Sequence, residues 1–156
     1  MVRIEISGME KLEIEHLVLD YNGTIAINGV VIDGVMERLE QLSVLLDIHV
    51  ITADTYGSVH EQCDGQNISV HVIGKYHQDR EKLIFIESLK AEHCIAIGNG
   101  KNDVLMLTSA ALGIALLQEE GTSTKALLAS DAVFRSINDA LDSLLNPQRL
   151  IATLRN

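Results

Sequence analysis

The sequence predicts an α/β domain in which helices cover both faces of a mostly parallel sheet. Short apolar runs of strand length alternate with segments of helical periodicity along most of the 156 residues. Strands that are buried on both faces read as continuous apolar runs, and the helices between them form right-handed crossovers. Aromatic residues make up only 3% of the chain. The core must therefore be built from Ile, Leu, Val and Ala, a composition that favours a parallel sheet under Leu- and Ala-rich helices.

Two short hairpins are predicted near the start of the chain. The turn-like residues Ser7-Gly8-Met9-Glu10 separate residues 2–6 from residues 12–19, and the second segment continues into the first core strand. Asn28-Gly29, a dipeptide typical of tight hairpin turns, lies at the centre of residues 25–32. We call residues 25–32 the flap hairpin.

The rest of the chain repeats strand–helix units. The predicted strands are 47–52, 69–73, 94–98, 112–116 and 132–134. The predicted helices are 33–46, 55–63, 78–91, 101–109, 122–129, 136–145 and 147–154. We therefore expect one domain over residues 1–156, with an N-terminal hairpin over 1–15, the flap hairpin, and C-terminal helices over 136–156.

Charge and hydropathy exclude two classes of partner. The net charge of −10 repels a nucleic-acid backbone, so we expect no nucleic-acid partner. No stretch approaches the roughly 20 apolar residues of a membrane span. Glutamates such as Glu5 and Glu10 interrupt any N-terminal signal pattern. We expect a cytoplasmic protein with no membrane partner.

Two apolar runs end in a polar loop that carries a carboxylate. The first ends at Asp20, within Asp20-Tyr-Asn-Gly-Thr24, and the second is Cys94-Ile-Ala-Ile-Gly98-Asn-Gly-Lys-Asn-Asp103. Neighbouring parallel strands would bring Asp20 and Asp103 to the carboxyl-end crevice, where open α/β sheets bind their ligands. Two carboxylates that meet at glycine-rich loops predict a Mg²⁺ and phosphate site.

Two further side chains could bind a phosphoryl group in that crevice. Thr52 ends a predicted strand, and its hydroxyl could either bind a phosphoryl oxygen or cap the next helix. Lys82 lies early in a helix, where it could neutralise the phosphoryl group or pair with surface neighbours. Lys75 is a weaker candidate for the same role, and His77 is predicted to lie on the surface.

Taken in order, Asp20, Thr52, Lys82 and the loop 98–103 resemble the four motifs of the haloacid dehalogenase-like hydrolase superfamily. The two aspartate loops look closest to the phosphorylation domain of P-type ATPases, as in soluble single-domain P-type-ATPase-like phosphatases. The resemblance implies a three-layer, Rossmann-like fold. The intervals between the motifs leave no room for a cap domain.

The resemblance also implies a mechanism. Asp20 would be the nucleophile that forms an aspartyl-phosphate, and Thr52 and Lys82 would hold the phosphoryl oxygens. The implied cofactor is Mg²⁺. Its implied ligands are Asp20, the backbone carbonyl of Asn22, Asn99 and Asp103.

Two residues depart from the superfamily pattern. Asn22 stands where phosphatases of the superfamily carry an acid, and an amide cannot transfer a proton at neutral pH. Losing a general acid–base typically costs on the order of 10²–10⁴ in rate, so we expect slow turnover. Asn99 stands where a metal-binding aspartate is usual, and an amide oxygen brings no charge to a cation. The alternative is a catalytically impaired module that binds a phosphate or a protein.

The substrate and a possible partner subunit are predicted from the absence of a cap over the site. We expect a phosphorylated small molecule or a phosphoprotein as the substrate. Either a bulky substrate or a neighbouring subunit would close a site without a cap, and the flap hairpin is a candidate interface for such a homo-oligomer.

Overall fold

The computed structural model describes residues 1–8, 10–53, 58–63, 65 and 67–156. Its strands are β1 (Val2–Ile4), β2 (Leu12–Ile14), β3 (His16–Asp20), β4 (Ala26–Ile27), β5 (Val30–Val31), β6 (Asp47–Thr52), β7 (Ile68–Val72), β8 (Cys94–Gly98), β9 (Leu112–Leu116) and β10 (Ala132–Phe134). Its α-helices are α1 (Val35–Ser43), α2 (Ser58–Cys63), α3 (Gln78–Ser88), α4 (Val104–Ser109), α5 (Thr124–Ala129), α6 (Ile137–Leu145) and α7 (Pro147–Leu154). Two 3₁₀ turns cover Ala91–His93 and Lys101–Asp103.

The central sheet confirms the predicted fold class. Its six strands are ordered β10-β9-β8-β3-β6-β7, and every neighbouring pair is parallel. β3 therefore lies at the centre, with β8 on one side and β6 on the other. This order, which the sequence pattern did not reveal, places three polar strand ends side by side.

Helices cover both faces of the sheet and complete three layers. Along β3, Leu17 and Leu19 belong to the larger apolar cluster, which also contains Leu39 of α1 and Leu141 of α6. Val18 points to the opposite face and packs in a smaller cluster with residues of α3, α4 and α5. This alternation follows from the two-residue period of a strand. Between β3 and β6 the chain forms only the β4–β5 hairpin and α1, and no cap domain is inserted there.

The segment 12–19 is not one continuous strand. The structure divides it at Glu15, so that β2 pairs with β1 in a separate antiparallel sheet and β3 joins the central sheet. The Glu15 amide donates to the His93 carbonyl at 2.9 Å, and the Glu15 carbonyl accepts from the Asp47 amide at 2.9 Å. These bonds to two other segments take the backbone of Glu15 out of the β1–β2 pairing.

Five predicted helices have different ends in the structure, and two of them, predicted over 122–129 and 136–145, begin later, at Thr124 and Ile137. The first predicted helix begins at Val35 because Gly34 precedes it with φ of 83°, a left-handed conformation that favours glycine, and it ends at Ser43. The helix predicted over 78–91 ends at Ser88, and a 3₁₀ turn follows. The helix predicted over 101–109 begins as a 3₁₀ turn, and residues 55–57 of another lie outside the described residues.

Three histidines form a hydrogen-bonded row under α3. His49 of β6 lies 3.2 Å from His16 of β3 through its Nε2, and 3.2 Å from His71 of β7 through its Nδ1. Phe85 of α3 packs on the His71 ring with a centroid distance of 4.3 Å. Burial lowers the pKa of His49 to about 4, with repulsion from His16 and His71 adding to the effect. The structure therefore favours a neutral His49 ring at the centre of the row.

We expect this row to make folding sensitive to acid. Unfolded His49 binds a proton near its ordinary pKa of 6.5, whereas the folded residue does so only near 4. Above pH 6.5 His49 is neutral in both states, and the folded protein keeps its full stability. As the pH falls toward 4, the unfolded state takes up a proton that the folded state excludes, and stability is lost. Relative to His49→Phe, the wild type should lose about 2 kcal/mol of unfolding free energy across that window, measured by urea titration. The matched variant His60→Gln, at an exposed histidine on α2, should follow the wild type. Parallel pH profiles of the wild type and His49→Phe would contradict the assignment.

Candidate active site

A crevice opens where β8, β3 and β6 end next to one another. Asp20 is the last residue of β3, Thr52 is the last residue of β6, and Gly98 is the last residue of β8. The cavity there has a volume of about 420 Å³. It is lined by Asp20, Asn22, Thr52, Ala53, Gln78, Lys82, Asn99, Gly100 and Asn102. The sheet order thus brings together the residues that the sequence proposed for one site.

Lys82 joins the two carboxylates. Its Nζ donates to Asp20 Oδ1 at 2.6 Å and to Asp103 Oδ1 at 2.7 Å, and its side chain is only 1% exposed. α3 places Lys82 on the same buried face as Ile86, one helical turn later. Lys75 precedes α3 and is exposed outside this cavity. Of the two candidate lysines, Lys82 is therefore the one in the crevice.

Asp103 is held by the loop that follows β8. Its Oδ2 accepts from the amides of Asn99 at 3.0 Å and Gly100 at 2.8 Å, which leaves Oδ1 directed toward Lys82. A Cβ at Gly98 would lie 2.5 Å from Asp103 Cγ. Only glycine at this position allows the carboxylate to approach the strand end so closely.

Thr24 connects the two aspartate loops, a role that the sequence did not predict. Its Oγ1 lies 3.1 Å from Asp20 Oδ2 and 3.3 Å from Asn99 Oδ1. Gly23 has φ of 79°, and a Cβ there would lie 2.4 Å from Asn99 Nδ2. The loop after Asp20 is therefore fitted closely against Asn99.

The loop after β9 supports both aspartate loops and was also not predicted. Gln118 Nε2 donates to the carbonyls of Gly23 at 3.1 Å and Thr24 at 2.8 Å. Asn99 Nδ2 donates to the Gly121 carbonyl at 3.0 Å. A carboxylate at position 99 could not donate this bond, so the loop is fitted to an amide.

Burial changes the titration of the charged groups. Desolvation, reinforced by the Asp103 charge, raises the pKa of Asp20 to about 6 despite the opposing effect of Lys82. Burial by itself would lower the pKa of Lys82, but Asp20 and Asp103 outweigh it, so that the pKa is raised. At neutral pH the site therefore contains an ammonium group between two carboxylates, with a net negative charge.

The donor set fits a hard cation such as Mg²⁺. Carboxylate, amide and carbonyl oxygens are the ligands that Mg²⁺ prefers, and the crevice offers them from Asp20, Asp103, Asn99 and Asn22. The single hydroxyl hydrogen of Thr24 serves both Asp20 Oδ2 and Asn99 Oδ1. Oxygen acceptors therefore outnumber donors there, and a cation would balance them. Among the described residues, no three or more His, Cys, Asp or Glu side chains form a metal-binding group, so amide and carbonyl oxygens are needed.

Comparison with known proteins assigns the family. A model of the haloacid dehalogenase-like hydrolases matches residues 75–141, which include Lys82, Asn99 and Asp103. An uncharacterized protein of Methanocaldococcus jannaschii is 49% identical over 87 residues, which are 53% of this chain and 94% of that protein. The part of the chain over residues 75–141 belongs to the haloacid dehalogenase-like hydrolases.

Solved structures of this superfamily share the fold. A putative subfamily IIIA hydrolase from Legionella pneumophila superposes with a TM-score of 0.71 at 16% identity, covering 89% of this chain and 86% of that chain. The 3-deoxy-D-manno-octulosonate 8-phosphate phosphatase of Moraxella catarrhalis, solved with magnesium and phosphate ions, gives 0.66 at 17% identity, covering 91% and 94%. In the part of the chain that the structure describes, no helix is long and apolar enough to span a membrane.

Proposed function

We propose that the protein is a Mg²⁺-dependent phosphatase or phosphotransferase that acts through an aspartyl-phosphate on Asp20. The observation that carries this proposal is the buried contact of Lys82 with both Asp20 and Asp103 at the floor of an open cavity. A salt bridge that served stability alone would not need an open crevice lined by further polar side chains. The family assignment and the phosphatase with the same fold support the same chemistry.

The reaction would proceed in two displacements at phosphorus. An Asp20 carboxylate oxygen attacks the phosphorus of the ester, and the bond from phosphorus to the leaving oxygen breaks. The leaving oxygen takes its proton from water, because Asn22 has none to give. Water, or an acceptor alcohol in phosphotransfer, then attacks phosphorus and loses its proton to solvent water. The bond between phosphorus and the Asp20 oxygen breaks at the same step, which restores the carboxylate. Lys82 and the Thr52 hydroxyl would bind the phosphoryl oxygens during both displacements.

Mg²⁺ would be held by Asp20, Asp103, Asn99 and the Asn22 carbonyl. When bound, it would offset the negative charge shared by the carboxylates and the phosphoryl group. Because Asn99 is neutral, we expect weaker affinity for the cation than a third carboxylate would give.

A second candidate function is a phosphate-binding module without turnover. The observation in its favour is the bond from Asn99 Nδ2 to the Gly121 carbonyl, which fits an amide into a position where a charged ligand is usual. Asn22, exposed at the cavity, likewise provides no proton. Under this alternative the site would bind phosphate but would not form a covalent intermediate.

The substitution Asn22→Asp separates these two candidates. It should raise Mg²⁺-dependent hydrolysis of p-nitrophenyl phosphate by about 10²-fold or more, because it restores a group that can protonate the leaving oxygen and activate water. The measurement is steady-state kcat on freshly purified protein. Deamidation at Asn22-Gly23 and Asn99-Gly100 must be excluded by intact mass, since it would create the same carboxylates.

The control is Asn67→Asp, which makes the same chemical change at an exposed residue just before β7, at the end of that strand opposite the crevice. It should leave the rate at the wild-type value. In the wild type, rapid acid quench with ³²P-labelled substrate should trap a label on the protein that hydroxylamine removes. If neither wild type nor Asn22→Asp turns over or retains label, the enzyme proposal is wrong and the binding module remains.

A further inference from the structure

A second cavity adjoins the crevice on the side of the α3 N-terminus. Its volume is about 520 Å³, and its lining is Lys75, His77, Gln78, Asp79, Lys101 and Asn102. It shares Gln78 and Asn102 with the catalytic cavity. Asn102 Nδ2 donates to Gln78 Oε1 at 2.7 Å, so a single side-chain bridge lies between the two spaces. A small ligand could therefore occupy both.

The second cavity is cationic on a strongly acidic protein. Lys75 and Lys101 line it against a single carboxylate, Asp79, whereas the whole chain carries a net charge of −10. Across the described ranges, neither Lys75 nor Lys101 forms an ion pair. Two unpaired ammonium groups beside a phosphate site are placed to bind a second anion.

The segment that carries Lys75 also lines the second cavity through His77 and Gln78. Gln78 Nε2 donates to the Lys75 carbonyl at 3.2 Å, which ties the segment to the bridge. His77 has φ of 57°, a left-handed conformation that costs free energy in a residue other than glycine, and no side chain caps the helix it precedes. Tyr76, one of only three tyrosines, is 82% exposed. An exposed ring beside a cationic cavity offers an apolar surface to the carbon skeleton of a ligand.

We propose that the substrate is a small phosphate ester with a second anionic group, carboxylate or phosphate, which Lys75 and Lys101 bind in the second cavity. This proposal rests on the proposed function, and it names the substrate class of that site. The ester phosphate would lie over Asp20, and the second anion would lie beyond the Gln78–Asn102 bridge. Within the phosphorylated partners expected from the sequence, it selects small molecules over phosphoproteins.

The test is equilibrium binding to Asp20→Asn, which cannot form the covalent intermediate. In Mg²⁺ buffer, titration calorimetry compares two matched pairs of ligands. The first is 3-phosphoglycerate with glycerol 3-phosphate, which differ by one carboxylate. The second is fructose 1,6-bisphosphate with fructose 6-phosphate, which differ by one phosphate. We expect the doubly anionic member of at least one pair to bind about tenfold more tightly or better. The pair that shows the preference identifies the second anion.

The same titrations on a Lys75→Gln/Lys101→Gln background test the residues. Both side chains are exposed, so the variant should fold, and the ratio of dissociation constants within the preferred pair should fall to within about twofold of one. Lys90→Gln, which removes an exposed lysine beyond the far end of α3, should keep the wild-type ratio.

Three outcomes would overturn the proposal. Equal binding within both pairs would refute the second subsite while leaving the phosphate site intact. A preference that survives in the double lysine variant would refute the assignment to Lys75 and Lys101. If Asp20→Asn binds none of the four ligands, the subsite proposal is wrong, and the turnover and labelling experiment on the wild type and Asn22→Asp decides the proposed function separately.

Discussion

Replacing Lys82 with methionine should cost about 3–5 kcal/mol of unfolding free energy near neutral pH, a large part of the stability of a domain this size. The substitution keeps the length and packing of the side chain but removes the cation between Asp20 and Asp103. Two buried carboxylates would then face each other with no counter-charge. Urea titration in the presence of a chelator measures the effect without a contribution from bound metal.

Two internal controls separate this charge effect from a packing defect. Lys125→Met, at an exposed position on α5, should stay within about 0.5 kcal/mol of wild type. The double variant Lys82→Met/Asp20→Asn should recover part of the loss, because one of the two opposed carboxylates is gone. The deficit of Lys82→Met should also shrink on acidification, as protonation removes the repulsion. If Lys82→Met unfolds at the same urea concentration as wild type, the salt bridge does not stabilise the fold.

Lys82 also shows how the sequence reveals a functional helix. In α3, Lys82 is buried and Ile84 is 64% exposed, whereas hydrophobicity alone would bury the isoleucine and expose the lysine. Lys82 shares its face with buried Ile86, a spacing of one helical turn that is visible in the sequence. Lys75 has no such relation, because it lies before the helix begins. A local conflict with the apolar pattern is the signal expected at a functional position.

The positions of the aspartates could be predicted because they follow from local rules. Apolar runs that break at a polar loop define strand ends, and strand ends in a parallel sheet share one edge. To place Asp20 and Asp103 in one site, it was therefore enough that β3 and β8 are neighbours. Their assignment as nucleophile and metal ligand stays a prediction.

The supporting contacts could not be predicted because they join distant segments. Gln118 reaches the carbonyls of Gly23 and Thr24 across more than 90 residues, and no local pattern marks a glutamine for that purpose. The histidine row likewise depends on the register of β3, β6 and β7, which brings His16, His49 and His71 within reach. Strand order and register are tertiary properties, and single-sequence periodicity contains neither.

Asp20→Asn should abolish phosphate-ester hydrolysis and yet stabilise the fold. Removing the nucleophile should lower kcat on the order of 10⁴-fold or more, because no other described side chain in the crevice replaces its carboxylate. The gain in stability has a separate cause. Burial raises the pKa of Asp20 to about 6, so folding at neutral pH must keep a carboxylate ionised where the protonated form is favoured. Asparagine removes that penalty while Lys82 keeps Asp103 as its partner.

The difference in stability between Asp20→Asn and the wild type should depend on pH. Above pH 6 the wild type carries the full penalty, and as the pH falls from 6 toward the ordinary value of 3.8 the folded state takes up the proton and the penalty disappears. In metal-free buffer, Asp20→Asn should therefore exceed wild type by about 1 kcal/mol near neutral pH and match it near pH 4. Asn102→Asp, which instead adds a carboxylate to the crevice, should be destabilising near neutral pH.

If Asp20→Asn is less stable than wild type at neutral pH, the Asp20–Lys82 contact outweighs the cost of burying Asp20. The crevice would then stabilise the fold. If Asp20→Asn is instead inactive and more stable, the folded protein holds Asp20 at a cost in stability, as expected of a group kept for its chemistry.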